Sequence, residues 1–163
     1  MKKMITLLFA CLLVSGYAFN QNYNTALGIK FGPGWYGGGV GLNIKHSLGS
    51  STAIEGVIGG GSHHLWLQGL FEINKDLGAD GLNWYYGIGG DIGFWSNNYH
   101  YYSDRHDRYY NGAWGGVDGV IGLEYTFNEI PFNIAIDAVP SVRLFPYVGF
   151  GISGNLALRF VIR

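Results

Sequence analysis

Trp84-Tyr85-Tyr86-Gly87-Ile88-Gly89-Gly90-Asp91-Ile92-Gly93-Phe94-Trp95 is the stretch that decides how this chain folds. Every second residue gives one face of Trp84, Tyr86, Ile88, Gly90, Ile92 and Phe94. The other face is Tyr85, Gly87, Gly89, Asp91, Gly93 and Trp95. A period of two is the signature of a β-strand. Rings end the greasy face and aliphatic side chains fill its middle, which is how a strand crossing a bilayer is written.

The same alternation recurs along the chain. Thr25, Leu27, Ile29 and Phe31 form one apolar face, and Val40, Leu42 and Ile44 another. Ile54 and Ile58 follow, then Leu65, Leu67, Phe71 and Ile73. Beyond the opening stretch come Val117, Ile121, Leu123, Tyr125 and Phe127, then Phe132, Ile134 and Ile136. The last run carries Val148, Phe150, Ile152, Leu156, Leu158, Phe160 and Ile162. Gly32-Pro33-Gly34, Leu48–Ser51, Gly61–His63, Lys75–Gly81, Ser96–Gly112, Asn128–Pro131 and Pro140–Pro146 read as the connections.

Eight strands of this kind predict an all-β fold, an eight-stranded antiparallel up-and-down transmembrane β-barrel. A soluble barrel would put its apolar side chains inside. Here Lys30, Lys45, Glu55, Glu72, Asp91, Asp118, Glu124, Asp137 and Arg159 all fall on the less apolar face, which a membrane barrel turns inward. An open sheet is untenable in lipid, where edge backbone groups find no partner.

Composition agrees. Glycine supplies 28 of 163 residues and aromatics 17%, which excludes a disordered linker, while charged residues reach only 13%. Residues 1–18 read as a cleaved signal peptide and 19–163 as the barrel: Lys2 and Lys3 precede an apolar run from Met4 to Val14, and Ser15-Gly16-Tyr17-Ala18 offers the cleavage site. Cys11 fits a small apolar residue of that run better than a lipidated cysteine, because bulky Phe9 spoils a lipoprotein box. Without Lys2 and Lys3 the balance is eight basic against eleven acidic residues, a formal −3. Such a balance is not that of a nucleic-acid binder.

Placed on these strands, the chain resembles the small eight-stranded outer-membrane barrels of the OmpA/OmpX type, particularly those of Bacteroidetes. Trp84–Trp95 and Gly119–Pro140 carry the likeness most clearly; in the latter Gly122-Leu123-Glu124-Tyr125-Thr126-Phe127 leads through Asn128-Glu129-Ile130-Pro131 into Ile136-Asp137. The resemblance implies a bacterial outer-membrane location, delivery by the barrel-insertion machinery and contact with outer-membrane lipid and lipopolysaccharide. It implies no particular activity.

Chemistry-bearing residues fall into groups. The nine inward charges suit a structural plug, with a proton or ion path as the alternative. Gly37, Gly39, Gly59, Gly61, Gly93, Gly116, Gly149 and Gly151 lighten the extracellular half of the interior, leaving either a small-ligand cavity or a space filled by Trp35, Trp95, Trp114 and Tyr147. The connection 96–112 is rich in contact-type residues: Tyr99, His100, Tyr101, Tyr102, Arg105, His106, Arg108, Tyr109 and Tyr110. It suits an extracellular glycan or protein ligand, or simply a solvated loop. His63, His64, His100 and His106 with Asp104 and Asp107 lack strict metal-ligand spacing, so neither metal nor cofactor is expected. The pairs His46-Ser47 and Ser62-His63 point their members to opposite faces, which does not suit a lipid-modifying hydrolase. The expectation is a monomeric, non-enzymatic barrel of structural or surface-recognition role.

Overall fold

The computed structural model describes residues 24–33, 39–49, 51–95, 100–101, 108–109 and 112–162. Eight long strands make the wall: β1 Thr25–Gly32, β2 Gly39–Ser47, β3 Thr52–Gly60, β4 His64–Ala79, β5 Leu82–Trp95, β6 Ala113–Thr126, β7 Phe132–Phe145 and β8 Gly149–Ile162. Each pairs antiparallel with the next, and β8 returns to pair with β1, so the barrel is closed. The predicted residues 1–18 lie outside the described residues.

The stagger of the wall follows from its register. Ala26 is paired with Val161 on β8. Followed the other way round, the pairs run Ala26, Lys45, Glu55, Leu70, Gly89, Asp118, Ser141 and Gly151. That path meets β8 ten residues from Val161. Eight strands with a stagger of ten tilt by roughly 35–45° and enclose a bore that side chains can fill.

The wall is inside-out relative to a soluble barrel. Leu42, Ile88, Ile136 and Ile152 point outward and are each at least 60% exposed, whereas Lys45, Glu72, Glu124 and Arg159 point inward and are at most 1% exposed. Outward rings ornament one rim, where Trp84 stacks on Tyr86 at 5.2 Å, Tyr125 meets Phe127 at 4.8 Å and Phe132 meets Phe160 at 5.9 Å. At the opposite rim, called the upper one below because it carries the 96–112 connection, Phe94, Phe145, Tyr147 and Phe150 are exposed.

Two stretches read as connections are strand. Lys75–Ala79 continues β4, because the turn into β5 needs only Asp80-Gly81, with Gly81 in the left-handed region at φ 80°. Gly78, at φ 79°, takes up the bulge just before it. Ser141–Phe145 likewise continues β7 past Pro140. Proline has no N–H for the ladder, and the β6–β7 pairing accordingly skips from Asp118↔Ser141 to Ile121↔Ala138.

Candidate functional site: the barrel interior and its upper rim

All nine predicted interior charges point into the bore. Seven of them form one network in its lower part. Lys30 Nζ lies 2.6 Å from Glu55 and 2.7 Å from Asp137, and Lys45 Nζ lies 2.8 Å from Glu72 and 2.9 Å from Glu124. Arg159 reaches across to Glu55 at 2.5 Å and Glu124 at 3.7 Å. Its guanidinium also donates to Asn43 and, at 3.0 Å, to Asn133. Ionised groups this deeply buried are tolerable only when so densely partnered. Even so, Glu72 Oε1 has no hydrogen-bond partner among the described residues.

Tyr85 ties the network to the opening stretch of the sequence. Its ring lies on Gly122, where an added Cβ would come within 2.6 Å, and Lys45 Nζ sits 4.2 Å from the ring centre. Its hydroxyl donates to Asp137 at 2.9 Å. Tyr85→Phe should therefore lower unfolding free energy by about 1.5–3 kcal/mol, the worth of a hydrogen bond to a charged group. Urea unfolding in lipid vesicles measures it; an unchanged midpoint would mean that Lys30 and Asn155 already satisfy Asp137.

The upper part is built differently. Asp91 accepts from Trp114 Nε1 at 3.3 Å, and Asp118 accepts from Gln68 at 2.7 Å. Rings lie over the glycines: a Cβ on Gly59 would come within 2.3 Å of the Trp66 ring, and one on Gly93 within 2.1 Å of Trp114. Trp95 packs on Trp114 at 4.5 Å, and His64 stands 5.5 Å from Trp66 and 5.8 Å from Trp114. Trp114 and Trp95 were expected here, whereas Trp66 was not. Tyr147 is exposed, 6.0 Å from the Arg143 guanidinium, and Trp35 and Gly37 lie outside the described residues.

The rings do not fill the space completely. A cavity of about 100 Å³ remains between the cap and the network. Lys30, Val57 and Asn155 line its lower part; Gln68, Asp91, Ser141 and Ser153 its sides; His64, Trp66, Trp114 and Arg143 its upper part. Arg143 is a tenth interior charge that the sequence reading lacked, since it fell in a supposed connection.

In the 96–112 connection a small two-stranded ladder pairs His100 with Tyr109 and Tyr101 with Arg108. Tyr99, Tyr102, Arg105, His106 and Tyr110 lie outside the described residues, as do Asp104 and Asp107. His46 points outward at the lower rim, bonded to Thr25 at 2.9 Å, and Ser47 donates to the Gly49 carbonyl. His63 is exposed in the β3–β4 connection.

No known family model and no curated protein matches the chain. Among solved structures, the N-terminal β-barrel domain of Pseudomonas aeruginosa OprF is similar, with a TM-score of 0.67 and 17% identity over 86% of this chain and 98% of that one. What the two share is the fold, a β-barrel, here closed by eight antiparallel strands.

Proposed function

We propose that this chain is an integral protein of the bacterial outer membrane, exported by a cleaved signal peptide, with a structural and surface-recognition role exercised through the 96–112 connection. One observation carries the reading: a closed wall, apolar outside and ionic inside. Only hydrocarbon makes that polarity favourable, because closure leaves no edge backbone unpaired and the charges satisfy one another within the bore. The wall then faces lipid and lipopolysaccharide, the upper rim faces the exterior, and the monomer is the folding unit. Insertion would use the barrel-assembly machinery.

The ionic network across the lower bore favours a plugged barrel over a conduit. His46 and Ser62-His63 are apart from one another and from the interior carboxylates, which supports a non-enzymatic role. A second reading, a small-ligand cavity in the extracellular half, is favoured by the space left beneath the ring cap.

The recognition role is tested by deleting Asn98–Tyr109 from the full chain. Outer-membrane fractionation and electrophoresis before and after boiling report folding, and a glycan array that includes lipopolysaccharide sugars reports binding. The deletion should leave the compact folded band intact and cut retention on any glycan bound by the full chain at least tenfold. An unfolded deletion variant, or a full chain that binds nothing on the array, would count against the loop as a recognition surface.

A further inference from the structure

The outer wall is not evenly covered. Ile44, Gly56, Gly69 and Gly90 share one register row across β2, β3, β4 and β5. The rows beside it carry Ile54, Phe71 and Ile88 on one side and Ile58, Leu67 and Ile92 on the other. Successive strands therefore present only hydrogen where their neighbours present large side chains. The result is an open groove of about 490 Å³, with Gly56 and Gly69 as its floor and Ile44, Ile54, Phe71 and Ile88 along its edge. Nothing lies within 4 Å of a Cβ placed on Gly69, and on Gly56 only Ile44 does, at 3.3 Å. From β2 to β5 the row is roughly 14 Å long, three strand spacings. Register rows climb from β1 toward β8, so the groove rises obliquely from the lower rim toward the middle of the wall.

A second observation, of charge, marks the groove's lower end. His46 lines it there, exposed, in the same row as Ile54 and Phe71. Its Nδ1 lies 2.9 Å from the Thr25 hydroxyl, and its Nε2 has no partner among the described residues. With Thr25 donating to Nδ1, the ring carries its proton on Nε2. Among the described strand residues, the outward positions hold no carboxylate and only two bases: His46, and Lys75, whose register partner is the outward Trp84. Both stand at the lower rim. The carboxylates of that rim lie off the outward face. Asp76 accepts from the Gly78 N–H at 2.5 Å, and Asp80 and Glu129 sit in the turns. A base on the outward face of a membrane barrel is tolerable near an interface, where it can meet an anionic headgroup.

We infer that this groove holds one acyl chain of a phospholipid, whose phosphate accepts a hydrogen bond from His46 Nε2. Within hydrocarbon a lipid tail gains nothing from the hydrophobic effect by lying against the wall. Retention comes instead from close packing over the glycines and from the charge-assisted bond at the rim. A phospholipid suits the site better than a lipopolysaccharide, because the groove's polar end is at the rim opposite the 96–112 connection, the inner-leaflet side. The inference thus rests on the outer-membrane reading proposed above and gives its lipid contact one site. A second outward groove of about 430 Å³, lined by Ile121, Leu123, Ile136 and Ala138 among others, has no base in its lining. It serves as the internal control.

The test inserts the full chain into vesicles of phosphatidylethanolamine and phosphatidylglycerol with added lipopolysaccharide. The chain is then extracted in a saccharide detergent and weighed by native mass spectrometry. One phospholipid should stay on the native chain. Gly69→Leu, which fills the groove, and His46→Ala should each cut the retained fraction at least fivefold. His46→Arg should keep the lipid, since a guanidinium also donates to phosphate. Ala138→Leu, in the other groove, should leave retention unchanged, and electrophoresis before and after boiling confirms that each variant is folded. A folded native chain that retains no lipid, or an equal loss in Ala138→Leu, would overturn the site and leave the membrane wall standing. An unaltered fraction in His46→Ala would overturn the phosphate contact. Retained lipopolysaccharide, or a dimer that Gly69→Leu dissociates, would overturn the phospholipid as occupant. A chain that does not enter the vesicles at all would overturn the membrane reading beneath the site.

Discussion

Arg159→Met should destabilise the barrel by about 3–5 kcal/mol, the cost of breaking a buried ionic network from one side. Arg159 is the only described residue that joins Glu55 to Glu124, and it also donates to Asn43 and Asn133. Methionine matches the apolar stem and removes the charge, so Glu55 keeps only Lys30 and Glu124 keeps only Lys45 among the ion pairs described. Urea midpoints in lipid vesicles, followed by tryptophan emission, would give the loss. Adding Glu55→Gln to the same chain should restore part of it, because the stranded charge is then gone. A loss under about 1 kcal/mol would mean that water already screens this network, as it screens surface pairs.

Gly28→Val should keep β1 from docking on β8. Gly28 is paired with Arg159 on one side and Asn43 on the other. A Cβ there would stand 1.8 Å from the Leu158 carbonyl oxygen and 2.6 Å from the Arg159 Cα. Both are backbone atoms, so no side-chain rotation relieves the overlap and the seam itself must open. The expected cost is at least about 3 kcal/mol, the upper end of what overpacking exacts. Gly69→Val is the matching control: it faces outward on β4, and nothing lies within 4 Å of its would-be Cβ. The electrophoretic band of the folded form should persist in Gly69→Val and be lost, or nearly so, in Gly28→Val. Equal behaviour of the two would show that the seam yields more easily than its geometry implies.

The sequence made the wall legible because polarity had to alternate. Once Leu42 and Lys45, or Ile88 and Asp91, are set on opposite faces, the barrel's inside and outside follow. Its ends were less legible. Lys75–Ala79 lies beyond the apolar band, so no alternating hydrophobicity marks it as strand, although Asp80-Gly81 is a two-residue turn dipeptide that could have. Pro140 obscured the upper half of β7, because proline argues against a strand interior. Counting by twos from Asp137 through Val139 and Ser141 would have carried Arg143 to the inside.

Trp66 shows a different limit. Its parity with Gln68 placed it inward, but a tryptophan beside leucines reads as one more wall residue. What gives it a role is Gly39 and Gly59 beneath its ring, and those lie on two other strands. Which acid meets which base was unreadable for the same reason. Arg159 and Glu55 are 104 positions apart, and Lys45 and Glu124 are 79. Only the ten-residue stagger brings them level.

That stagger, together with the seam from Thr25 to Ile162, also constrains the order of assembly. Until β8 finds β1, Arg159 and Glu55 sit on the bare face of an open sheet, where hydrocarbon would meet unneutralised charge. If the wall spans a bilayer as proposed, a half-inserted hairpin is a high-energy species, and strands entering one at a time would each bear that cost. On that reading crossing and closing coincide: the charges travel inward as the ring shuts around them, and membrane entry is a single cooperative event of the whole wall.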